Sequence, residues 1–240
     1  MDMITKFSYN IEKDLENYDY SYFDFKFSDY GRDLKKLKIN VVRNLPRSII
    51  EQISDESKAQ QERVLIIRNF LEKFQKDKNS FIETSIRSIE ALWHEKEADY
   101  LKRLSDCFGK EVFFDSIGVN FTTLGICPYN TRENSFYLSF WQNLADQVGG
   151  ICHETMHLMF RHHFQDYCSA KGLTPEEVLI INEAMVVLLN FKFFDLIIVP
   201  EQNNKPTTLP LQSHIADLCR QKKDFNYILE SSIEFIKKNR

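Results

Sequence analysis

GGICHETMHLMFRHH, residues 149–163, sets four of the chain's six histidines in one short, mostly apolar stretch, with a glutamate directly after the first. His153, Glu154 and His157 spell H-E-x-x-H. On a helix, residues four apart lie on one face, one turn above the other. Both imidazoles can then reach a single ion while Glu154 points to the ion's open side. Neutral imidazole suits zinc, and two of them leave room for a third protein ligand and a water. A chain of this length carries the pattern by accident roughly once in a hundred, so the surrounding sequence has to decide.

Downstream, LIINEAMVVLLNF (179–191) puts Glu183 in a run that is apolar on nearly every side. A buried carboxylate without a partner costs several kcal/mol or gives up its charge, and a metal would remove that penalty. Without a metal, Asn182 and Glu183 would form a solvated polar edge or an ordinary buried hydrogen bond. Upstream, SFYLSF (135–140) reads as a strand, and Gly149-Gly150 would let backbone or substrate approach the motif helix. A peptide could then lie against the strand and be held by main-chain hydrogen bonds.

H-E-T-M-H, twenty-five residues (158–182) and then Glu183 within N-E-A on a following helix resemble the gluzincin branch of the zincin-like metallopeptidase superfamily, over about residues 111–195. The resemblance implies that His153, His157 and Glu183 bind zinc and that Glu154 activates water as general base. It also implies an α+β fold with a zincin-like core: a small sheet, an H-E-x-x-H helix and a following glutamate-bearing helix. One departure is plain. Thermolysin-like chains carry an aspartate four residues after the ligand glutamate, orienting the first histidine, whereas this chain has Val187.

The metzincin branch reads H-E-x-x-H-x-x-G-x-x-H, and His163 stands at its third histidine. Phe160 occupies its glycine position. In an unbroken helix His163 lies about 15 Å along the axis from His153, too far to share an ion. His162 and His163 are read instead as polar side chains near a helix C-terminus. The preferred set carries its own geometric condition: in an antiparallel hairpin Glu183 comes level with His157 only if the first helix ends near residues 164–168, unless the two helices cross steeply.

The remaining sequence fills in the frame. A formal net charge of −4 offers no electrostatic footprint for nucleic acid, and no apolar run is long enough for a membrane span. The five cysteines, Cys107, Cys127, Cys152, Cys168 and Cys219, form no C-x-x-C pair and read as reduced thiols in a cytoplasm. Cys152 reads as a small buried hydrophobe, and MDMITKFSYNIEKDL lacks the pattern of an export signal.

YDYSYFDFKF (18–27) alternates at period two and predicts a strand, with a second at LKINVV (37–42). Residues 46–107 predict amphipathic helices, with Ile53, Ile67 and Leu71 on one stripe, Trp93, Tyr100 and Leu104 on another, and His94 on the surface. Gly109 and Gly172 end helices. Thr174-Pro175-Glu176-Glu177 opens one with a capping box, and a single helix over about 213–238 finishes the chain. These readings divide the protein into an N-terminal, mainly helical region (1–107) and a metal-site region (108–240), or join both in one domain.

The expected activity is zinc-dependent hydrolysis of a peptide or protein substrate, with His214, Tyr227 and Tyr137 all open as donors to the oxyanion. The alternative is a zincin-shaped, catalytically inactive module that binds a partner. Val187 and the unassigned oxyanion donor motivate it.

Overall fold

The computed structural model describes residues 4–23, 41–197 and 206–240. They fall into two compact units. Thr5–Leu92 folds with Ser116–Gln147, and Trp93–Asp115 folds with Val148–Arg240, together with Ile4. The division is thus not at residues 107 and 108. The strand segment expected to join the metal-site region belongs with the N-terminal residues.

In the first unit, β1 (Thr5–Ser8), β2 (Ile117–Thr122), β3 (Tyr129–Asn130) and β4 (Ser135–Ser139) make a sheet in the order β1-β2-β4-β3. β2 runs parallel to both β1 and β4, with Thr5 opposite Ile117 and Gly118 opposite Ser135, and β3 is antiparallel to β4. Ile117, Val119 and Phe121 alternate into the core, as strand geometry requires. A Cβ on Gly118 would stand 3.1 Å from that of Ser135, so the glycine keeps the two strands in close register. The strand expected at 135–140 is therefore present as β4, but it is not an open edge: Phe136 pairs with both β2 and β3, and the Tyr137 N–H donates to Pro128.

The aromatic segment departs from expectation. α1 (Ile11–Tyr18) starts at Asn10, whose side chain accepts from the N–H groups of Glu12 and Lys13, and it continues as a wide π turn over Asp19–Phe23. Tyr18 and Tyr22, four apart, are buried, and Tyr20 between them is exposed. Their alternation on paper is thus one helical face plus an outward residue. Residues 24–40, which carry the rest of the expected hairpin, lie outside the described residues, and Val41 and Val42 are helical and buried.

The amphipathic stripe expected over residues 46–107 is present in α2 (Arg47–Ile53) and α3 (Gln60–His94), and it packs with α1. Ile53, Ile67 and Leu71 share one core with Leu15, Tyr18, Tyr22, Val41, Val42 and Leu124.

α1 is also tied to the sheet by a buried carboxylate. Asp14 accepts hydrogen bonds from the Thr122 and Thr123 hydroxyls at 2.6 and 3.0 Å and from the Thr123 N–H. Asn17 donates to Thr122 Oγ1 at 3.0 Å. Burial pushes the Asp14 carboxyl up to about 6, against the downward pull of those donors.

The second unit is helical: α4 (Glu97–Phe108), α5 (Leu144–Ala170, which begins in the first unit), α6 (Pro175–Met185), a 3-10 turn over Val186–Leu188, α7 (Leu189–Lys192), α8 (Leu209–Arg220) and α9 (Phe225–Lys238). Gly109 at φ 61° closes α4, and Gly172 at φ 84° turns the chain between α5 and α6. The capping box is complete: the Glu177 N–H donates to Thr174 Oγ1, and the Thr174 N–H donates to the Glu177 carboxylate. The last segment is two helices rather than one. Lys222 takes a left-handed turn at φ 57° and Asp224 caps the new helix on the Tyr227 N–H. Likewise the stripe over 86–104 is split between α3 and α4. Among the described residues no helix is long and apolar enough to cross a membrane.

The raised Asp14 carboxyl makes the folded state bind a proton more tightly than the unfolded chain, from 3.8 to about 6. Stability should therefore be greatest below pH 4 as far as this group is concerned. It should fall as pH rises to 6, by about 3 kcal/mol in all. Urea unfolding midpoints of Asp14→Asn should lose that slope between pH 4 and 6. An undiminished slope would assign it to other groups.

Candidate metal centre

His153 and His157 sit on α5, four residues apart, with ring centroids 4.4 Å apart and planes nearly perpendicular. Glu183 comes from α6. The three residues offer ligand atoms that all lie within 4.8 Å of one another, and the group could hold a metal ion. His157 Nε2 lies 3.7 Å from Glu183 Oε1, and His153 Nε2 lies 4.0 Å from Glu154 Oε1. Thus the set singled out from sequence comes together in space.

Burial grades across the group. The His157 side chain is 1% exposed and that of Glu183 11%, against 17% for His153 and 13% for Glu154. His157 is the enclosed member of the group, and the other three side chains each keep a small exposed fraction. The carboxylate is held where its own helix predicts: Ile181, Asn182, Ala184, Met185 and Val186 around it are all buried.

The helix end expected near residues 164–168 is not what the structure has. α5 does not stop at 164–168 but runs to Ala170. From His157 to Ala170 is 13 residues, about 20 Å, and from Pro175 to Glu183 is 8 residues, about 12 Å. A strictly antiparallel pair would leave Glu183 about 8 Å short along the axis. The ligand atoms of His153, His157 and Glu183 nonetheless lie within 4.8 Å of one another.

His163 lies outside the group. Its Nε2 is 3.0 Å from the Glu111 carbonyl, and burial holds its pKa below the ordinary imidazole value. His162 stacks on Phe113 with ring centroids 3.5 Å apart. The helix continues unbroken past both residues, so they do not serve its C-terminus as expected. They fasten the segment 111–113 to the side of α5.

The candidate oxyanion donors scatter. His214 Nε2 pairs with Ser231 Oγ at 2.8 Å, and its ring stacks on Phe235. Tyr227 is 51% exposed, with the Lys223 ammonium over its ring. Tyr137 belongs to β4 in the other unit, where burial pushes its hydroxyl up to about 12. His94, expected on the surface, is half-buried at the end of α3. At Gly149, on the ligand face one turn before His153, a Cβ would meet no atom of another element within 4 Å among the described residues.

Cys152 is buried, as expected of a small hydrophobe, and none of the five cysteines is in a disulfide. Its carbonyl accepts a hydrogen bond from Tyr100 at 2.5 Å. Sequence reasoning placed Tyr100 in an apolar stripe and missed this contact. The available signal was a tyrosine, rather than a phenylalanine, at a fully buried position, where the hydroxyl requires a partner.

No protein-family model matches the chain, and no curated protein or solved structure was found to be similar to it. The site therefore rests on its own geometry.

Replacing Glu183 with alanine should weaken divalent-metal binding by at least tenfold while leaving the capped start of α6 intact. Titration against a chromophoric chelator measures the loss, and affinity equal to wild type would remove Glu183 from the ligand set.

Proposed function

We propose that this chain is a zinc-dependent peptidase of the gluzincin kind, with His153, His157 and Glu183 as ligands and Glu154 as general base. The meeting of two imidazoles and a carboxylate from two helices, within 4.8 Å, carries this reading. His157 Nε2 and Glu183 Oε1, 3.7 Å apart, are near enough that one ion could be held by both together with His153. The donor set suits zinc, which takes imidazole and carboxylate together. When bound, the ion would supply Lewis acidity, lowering the pKa of a water toward about 7 and polarising the scissile carbonyl.

The chain's own residues do the remainder. Glu154, partly open to solvent beside His153, accepts the proton of the attacking water and passes it to the departing amine. His157 and Glu183, nearly buried, fix the site from the protein side and exclude bulk water there. The substrate is a peptide or protein segment reaching the His153 and Glu154 side. The cysteines, none of them in a disulfide, accord with the cytoplasmic setting expected from the sequence.

A second reading, a metal-holding module that binds a partner without cleaving it, draws on the placement of His214 and Tyr227. The first is engaged by Ser231, and the second stands at the surface.

Cleavage of a mixed peptide library, with and without chelator, separates the two readings. Glu154→Gln should retain about one zinc per chain and lose hydrolysis by a factor on the order of 10² to 10⁴. Zinc bound with no cleavage by the wild type would favour the partner-binding module.

A further inference from the structure

We propose that Tyr100 is a positioning residue for the metal centre, an inference that rests on the metal-binding reading above. Tyr100 is fully buried, and its hydroxyl donates to the Cys152 carbonyl at 2.5 Å. That carbonyl shares one rigid peptide plane with the nitrogen of His153. Holding the oxygen therefore fixes the plane from which the first ligand's side chain departs. In an α-helix the same carbonyl also accepts from the N–H four residues on, that of Met156. Removing the phenol oxygen leaves no buried backbone group orphaned, and the role of the hydroxyl can be isolated from that of folding.

The tyrosine ring is fixed from two sides. It packs on Trp93, with centroids 5.5 Å apart, and on Phe193, 5.2 Å apart. Phe193 directly follows α7, in the helical run that begins with α6 and carries Glu183. One side chain thus touches both arms of the ligand set: its hydroxyl holds the helix of His153 and His157, and its ring seats against the run that bears Glu183. Tyr100 sets the placement of one arm relative to the other. A phenylalanine would keep the second contact and lose the first. Burial holds the phenol's pKa well above its ordinary value.

The test compares zinc affinity, by chelator competition, and the visible absorption of the cobalt-loaded protein in wild type, Tyr100→Phe and Ser232→Ala. Ser232 is fully buried in the same unit and donates to the Ile228 carbonyl of its own helix, α9, so its loss removes a buried hydroxyl whose hydrogen bond stays within that helix. Circular dichroism and melting curves establish that both variants fold.

Tyr100→Phe should bind one ion per chain about tenfold more weakly, in line with the loss of outer support at metal sites, and its cobalt spectrum should change. Ser232→Ala should match wild type in both. Wild-type affinity and spectrum in Tyr100→Phe, or an equal weakening in Ser232→Ala, would overturn the positioning role and leave the metal site standing. A wild type that takes up no ion would overturn the proposed function, and this inference with it, before any variant is compared.

Discussion

A carboxylate set among apolar side chains is the constraint on which the helical unit turns. Glu183 is flanked by buried Asn182 and Ala184 and stands 3.7 Å from an imidazole that is itself almost wholly removed from water. Burying either group costs several kcal/mol unless a charge or a set of hydrogen bonds compensates it. The chain gathers these polar groups at one point rather than dispersing them to the surface. It does so on helices whose other faces are packed with Met156, Met159, Phe160, Ile181 and Met185. The apolar packing fixes the helices, and the helices hold the polar atoms together.

The first unit handles the same problem differently. Asp14 is as deeply buried as any residue in the chain, yet donors from Thr122 and Thr123 surround it. Hydrogen bonding offsets desolvation there, and the carboxyl is left with a raised pKa. Nothing about that network suggests a ligand: its members are neutral hydroxyls and amides committed to one another. At the candidate metal site the converging groups are two imidazoles and a carboxylate, a donor set that metal chemistry uses.

Much of the fold could be read from local pattern. The amphipathic stripe through Ile53, Ile67 and Leu71, the capping box at Thr174, and the left-handed glycines at 109 and 172 each depend on a few neighbouring residues. Errors arose where local pattern is degenerate. Tyr18, Tyr20 and Tyr22 alternate as a strand would, yet two of them also lie one helical turn apart, and burial of that pair against Leu15 and Leu71 favoured the helix. The division into units was illegible for a related reason: parallel pairing of β1 with β2 joins segments far apart in the chain, and no local signal records it.

The sequence by itself determined which atoms could serve a metal. H-E-x-x-H on one helix face and a glutamate in an apolar run are local facts, governed by the 3.6-residue period and by the cost of burying charge. Tertiary structure alone decided that the two helices meet so as to bring Glu183 to His157 although α5 runs on to Ala170. It also turned His163 to the Glu111 carbonyl and set Tyr100 under the peptide that leads into His153. Those outcomes depend on how side chains distant in sequence fill a shared core, and close packing is a property of the whole assembly of residues rather than of any short stretch.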